Sequence, residues 1–211
     1  MTTTAIFAEL LIIGIQASVW VLLPIAAQTE FHFHDLNAVK DWANTLLVLG
    51  LAMAYTLGIL VDRIADFLVG FFDKKYRRQI IGRILGNQDR QRWESMNPTQ
   101  QWKEIQEHFY KIRFGVQGLD NGISAFIEYL RSRIRIARAS AFNFFFITCA
   151  VEYSLLREPQ LFGLSKAGSW LWLTPIFGIA VVTIAALSWI IMTKTYFRRL
   201  ADVYRHYIQP A

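Results

Sequence analysis

Seven ionisable residues stand in stretches otherwise suited to lipid: Glu9, Asp62, Arg63, Asp66, Arg135, Arg138 and Glu152. A charge at the centre of a bilayer costs roughly 2.5–3.5 kcal/mol on insertion scales, so each such residue calls for a partner or a function. Asp62 and Asp66 lie one helical turn apart, where two carboxylates repel unless a cation joins them. Arg131, Arg135 and Arg138 share a helix face by the same spacing. The pattern predicts an inner-boundary ion-pair network of Asp62, Arg63, Asp66, Arg135 and Arg138, closed across an antiparallel hairpin or with a neighbouring subunit. The competing reading is a set of snorkelling charges that only mark the boundary.

Glu9 lies a few turns into the first apolar stretch, and by depth its nearest partner is Arg63. Glu152 stands alone toward the opposite side. It could form a cation-attracting ring in a pore, carry protons, or sit as a neutral acid hydrogen-bonded to another helix. Glu9 and Glu152 are therefore the candidate pore or intramembrane polar residues.

Other patterns carry less chemistry. Gly50, Ala54 and Gly58 recur every four residues, a helix-packing stripe that lets two membrane helices approach closely. Lys74, Lys75, Arg77, Arg78 and Arg131 form a cationic group suited to an anionic ligand or to anionic lipid, since guanidinium binds phosphate in bidentate fashion. In Phe31-His32-Phe33-His34-Asp35 an extended chain puts both histidines on one side. A metal or proton-sensing pair is conceivable there, but no further Cys or His lies nearby, and the segment reads as an interfacial loop. The single cysteine, Cys149, reads as a small core residue. His108 is isolated in an amphipathic segment. No glycine-rich phosphate loop, HExxH or GxSxG is present, so no enzyme, cofactor or metal is expected.

The elements that would position these residues follow from composition. Of 211 residues, 54% are hydrophobic and 18% charged, and the charges are segregated into dense basic windows. Segregation of this kind marks a chain with lipid for part of its solvent. Four apolar stretches are long enough to span: about 5–27, 43–72, 139–156 and 168–193. The first is not a cleaved signal, because its start carries no positive charge and Glu9 lies inside it. Only thirteen residues separate Arg138 from Glu152, about 20 Å of helix, so Glu152 falls within the membrane.

The predicted fold is thus all-α. A first transmembrane hairpin (1–72) is followed by a basic helical region (73–138), a second hairpin (139–193) and a basic tail (194–211). The second span is expected to continue to Leu85 and stop at Gly86. Asn97-Pro98 signals a helix start, and the helix it opens, ending at Gly115, carries Trp102, Ile105, Phe109 and Ile112 on one face. A long helix then runs from Asn121 into lipid. In this picture one amphipathic helix packs on the extensions of two membrane helices.

Region 73–138 holds fourteen basic and seven acidic residues, net +7, and the tail is net +3. The loops between the spans of each hairpin are net −2 and +1. The positive-inside rule then places both termini in the cytoplasm, in the inner membrane of a cell. Three functions fit. One is an oligomeric ion-conducting or membrane-perturbing assembly gated through the basic helices. Another is an anchor or scaffold recruiting a cytoplasmic protein, which predicts an exposed apolar face around Trp102, Ile105 and Phe109. The third, least favoured, is an anionic-ligand or nucleic-acid reader built on Arg90, Arg92 and Trp93. Expected partners are anionic lipids of the cytoplasmic leaflet, copies of the same chain and a cytoplasmic protein.

Overall fold

The computed structural model describes residues 3–29, 42–88, 90–117, 121–164 and 168–207; the side chains at 3, 83–88, 90, 112–114, 116, 117, 121 and 204–207 are excepted. The His32–His34 loop and the Ile112 side chain lie outside the described residues. The described chain is helical throughout, with α1 (Thr3–Gln28), α2 (Ala43–Gln88), α3 (Arg90–Ser95), α4 (Pro98–Gln117), α5 (Asn121–Arg157) and α6 (Trp170–Tyr207). A 3-10 turn, Pro159–Phe162, follows α5. Parts of α1, α2, α5 and α6 are long and apolar enough to cross a membrane, as in a multi-pass membrane protein.

Local chemistry sets the helix ends. Asn97 Oδ1 accepts the Gln100 backbone N–H at 2.8 Å, and Gln100 Oε1 accepts the Asn97 N–H at 3.1 Å. This reciprocal box satisfies two donors that the first turn of α4 cannot, while Pro98 occupies the position where a missing N–H costs nothing. Gly163, at φ 72°, closes the turn after α5 in a left-handed conformation that suits a residue without Cβ.

Two boundaries differ from expectation. Helix α2 passes through Gly86 to Gln88, and α4 passes through Gly115 to Gln117. A glycine inside a helix costs about 1 kcal/mol but does not end it unless the chain turns left-handed there. The expected basic tail begins inside a helix. Past the uncharged stretch that ends at 193, α6 continues unbroken to Tyr207. Three long helices, not two, therefore run beyond their apolar stretches.

By packing, the chain divides into two units, and α2, α5 and α6 contribute to both. The span unit holds Thr2–Asp66 and Arg135–Ser188. Its core is small: Ile13, Ala17, Val61 and Ala139, with Trp20, Leu57 and Phe142 against them. The module holds Phe67–Ile134 and Trp189–Ala211. There Ile81, Ile105, Phe109, Ile127, Tyr196, Phe197 and Leu200 close a core fed by α2, α4, α5 and α6. Residues 196, 197 and 200 come from the former tail, and their spacing gives α6 an apolar face that must be covered.

The face expected to be open around Trp102, Ile105 and Phe109 is closed. Ile105 is 0% and Phe109 5% exposed, and Trp102 packs on the same core. Cys149 differs in the opposite sense. It is exposed on α5, where lipid is an adequate solvent for a small apolar thiol.

Candidate functional site

The polar residues of the span unit gather on α5 and the two helices beside it. Residues 135 and 138 are three apart, so they point to different neighbours by about 60° around the helix. Arg135 donates to Glu9 Oε2 of α1 at 3.3 Å. Arg138 donates from Nη2 to Asp62 Oδ1 of α2 at 3.2 Å and from Nη1 to Asp66 Oδ1. Arg138 and Glu9 are buried, Asp62 is nearly so, and Asp66 is more than half exposed. One guanidinium thus bridges the two carboxylates on the i,i+4 ridge of α2, which removes their mutual repulsion.

The structure thereby regroups the expected network. Arg135 goes to Glu9 rather than to the aspartates, and Glu9 finds its cation on α5 rather than at Arg63. Arg63 is exposed on α2.

Farther along the same helices runs a set of neutral polar contacts that a search for charges overlooks. Asn143, fully buried, donates from Nδ2 to the Ile13 carbonyl at 2.9 Å and to Gln16 Oε1 at 3.3 Å. Its Oδ1 accepts the Trp20 indole N–H at 3.0 Å. Ser140 Oγ donates to Gln16 Oε1 at 3.1 Å, and Gln28 Nε2 donates to the Tyr153 hydroxyl at 3.1 Å. Residues 9, 16, 20 and 28 of α1 thus meet 135, 140–143 and 153 of α5 in order, so the two helices run side by side in the same direction. Interhelical bonds of this kind hold membrane helices together where lipid removes any hydrophobic drive. An Asn inside the aromatic run 142–146 and a Gln inside the first span were the sequence signals.

Glu152 shares a hydrogen bond with the Thr174 hydroxyl of α6. That hydroxyl also reaches the Trp170 carbonyl one turn earlier, at 2.8 Å. Four residues before Glu152 along α5, Gly178 of α6 lies so close to Thr148 that an added Cβ would meet its side chain at 2.3 Å. Glu152 therefore sits where α5 and α6 press together.

The small-residue stripe is partly used. A Cβ at Gly58 would fall 1.9 Å from the Leu10 carbonyl oxygen, and one at Gly14 would fall 1.5 Å from that of Ala54. Gly50, by contrast, faces open space. The contact is confined to the stretch where α1 and α2 come nearest, with Gly14 as its unforeseen member.

In the module the cationic group separates. Lys74, Lys75 and Arg78 are exposed. The Arg77 guanidinium lies over the Phe109 ring at 4.1 Å and near the Phe197 ring at 5.9 Å, a cation–π role in the core. Arg131 is half-buried and bonds Glu128 at 3.1 Å. Arg92, still well exposed, pairs with Glu104 at 2.5 Å, and Trp93 packs partly buried against the core; the Arg90 side chain lies outside the described residues. His108 is half-buried on α4. Burial, followed by the charge of Lys111, pushes its imidazole below the ordinary value of 6.5, with Glu104 opposing. Among the described residues no group of three or more metal-ligating side chains occurs.

Comparison with known proteins gives no match: no family model, no curated protein and no solved structure matches the chain.

Proposed function

We propose that the chain is a membrane anchor that presents a basic helical module on the cytoplasmic side, where it docks an acidic protein partner. One observation carries the choice of anchor over conduit. The carboxylates that could line a pore have partners within the same protomer: Glu9 with Arg135, Asp62 and Asp66 with Arg138, Glu152 with Thr174. A conducting path also needs a polar wall, and the exposed faces of α2 and α6 are apolar. Leu46, Leu49, Met53, Leu60 and Ile64 line the former; Leu173, Ile176, Ile184 and Leu187 line the latter. Such faces suit lipid.

The cytoplasmic placement rests on the charge asymmetry between the module and the short loops. Because the Trp102–Phe109 face is closed in the core, the docking surface falls on the outer side of α4. There Lys103, Tyr110 and Lys111 are exposed. Lys103 is there paired with exposed Glu107 at 4.0 Å, and Lys111 beside the Tyr110 ring is the cation that would meet an acidic surface.

Two experiments test the reading. Liposomes of purified protein should hold an ion gradient, with Glu152→Gln and the parent equally tight; cation-selective flux weakened by the variant would replace the anchor with a pore. A photo-reactive residue at position 110, introduced in cells, should give one discrete adduct with an acidic protein. That adduct should vanish on K103E/K111E, and an adduct indifferent to the reversal would remove the docking surface.

A further inference from the structure

Arg63 stands on α2 between Asp62 and Asp66, the two carboxylates that Arg138 bridges. Its own side chain is exposed and, among the described residues, makes no hydrogen bond or ion pair. A bare guanidinium beside an apolar span is costly. Asp66 is only half satisfied as well. Arg138 engages its Oδ1, and the side chain remains 56% exposed. One helix of the span unit thus presents an unpaired cation and an open carboxylate three residues apart.

Both lie on a face of distinct character. Positions 52, 56, 59, 63 and 66 recur at alternating spacings of four and three, the repeat of a two-helix seam. All five are exposed. They fall opposite Ala54, Gly58, Val61 and Ala65, which α2 buries within the protomer, and roughly 100° from Leu46, Met53 and Ile64 on the bare apolar side. Above the charges the seam carries Ala52, Thr56 and Ile59, and its small residues permit close approach.

We propose that a second copy of this chain covers the face, with α2 packed against α2 about a twofold axis along the membrane normal. Copies inserted in one orientation bring the two helices together parallel. Residue 63 then packs into the hole that residue 66 of the other helix helps to form. Arg63 of each copy meets Asp66 of the other, and the twofold makes the bridge twice. A lipid phosphate could neutralise Arg63 but would be repelled by the open oxygen of Asp66. A second copy supplies an anion for the one and a cation for the other. The inference needs only that α2 crosses a bilayer, so it stands or falls separately from docking on α4.

The test is oxidative cross-linking in cell membranes of the full chain, with Cys149→Ser so that each introduced thiol is the sole one. Ala52→Cys and Ile59→Cys should give a species of twice the chain mass, and Leu46→Cys and Ile64→Cys should give little. In the Ala52→Cys chain, Arg63→Gln or Asp66→Asn should each cut the yield about fivefold, the scale of an interhelical polar contact in lipid. Two differently tagged chains, one with each change, keep one of the two bridges and should cross-link to each other better than either does to itself. An ion pair within a single helix gives no such gain, so its absence would overturn the proposal. Equal yields at all four thiols would overturn it too, as would no cross-link at positions 52 and 59, or a discrete product of another mass. Arg63→Gln removes no contact within the protomer and Asp66→Asn leaves Asp62 to Arg138, so both should unfold with the parent in detergent. If either does not, Arg63→Lys, which keeps the charge, decides: loss of its cross-link would overturn the proposal.

Discussion

Adding a single methyl group at Gly14 or Gly58 should pry α1 from α2. An ideal Cβ at Gly14 would lie 1.5 Å from the Ala54 carbonyl oxygen, and one at Gly58 would lie 1.9 Å from that of Leu10, whereas ordinary contact begins at 3.4 Å. The obstacle is backbone on both sides, so no side chain can rotate away. The helices must part by about 2 Å, which opens the packing around Ile13, Ala17 and Val61. Overpacking a well-filled site costs typically about 1–3 kcal/mol, and a clash with rigid backbone belongs at the upper end. Gly50 is the internal control: a Cβ there meets nothing, and alanine should stabilise by up to about 1 kcal/mol through helix propensity. Equilibrium unfolding in mixed detergent micelles, followed by tryptophan fluorescence, would read all three. If Gly14→Ala and Gly58→Ala unfold with the parent, or if Gly50→Ala is as damaging as they are, the packing argument fails.

Three further outcomes follow from the same geometry. Arg138→Met should cost about 3 kcal/mol, because it leaves Asp62 largely buried without its cation; adding Asp62→Asn and Asp66→Asn should recover most of that in the same unfolding assay. His108 is held below its unfolded value of 6.5, so its contribution to stability is present above 6.5 and is lost as pH falls from there toward the folded value. Unfolding midpoints measured down to about pH 5 should therefore drop, and His108→Gln should flatten the drop. Thr193 Oγ1 is buried without a hydrogen-bond partner among the described residues, so Thr193→Val should be neutral or stabilising by up to about 1 kcal/mol in thermal unfolding.

The sequence showed the spans and the helix starts more clearly than the partners. Apolar length is additive along the chain, so four crossings can be read without knowing any contact. Asn97-Pro98 is equally local, and its box closes within four residues. Pairing is not local. Asp62, Asp66, Arg135 and Arg138 were found by charge, yet which arginine meets which carboxylate depends on where α1 sits, and Glu9 is 126 residues from Arg135.

Charge alone hides two features of shape. The cations after 193 mark a basic tail, yet Tyr196, Phe197 and Leu200 within it trace an apolar helix face that joins the core. Asn143, Gln16 and Ser140 carry no charge, yet a neutral amide in lipid needs partners for the same reason. Gly50 failed for a different reason: a small-residue repeat marks where helices can approach, and the crossing point alone decides which members do.

The central claim is that Glu9, Asp62, Asp66 and Glu152 are bonded between helices of one chain and hold those helices together. A double-mutant cycle on Glu9 and Arg135 tests it most directly, with Glu9→Gln, Arg135→Gln and the double variant unfolded under one set of conditions. The account predicts that each single change destabilises and that the pair is coupled by about 1 kcal/mol or more, the double variant losing less than the two losses combined. Strictly additive losses, with no coupling between the two positions, would contradict it.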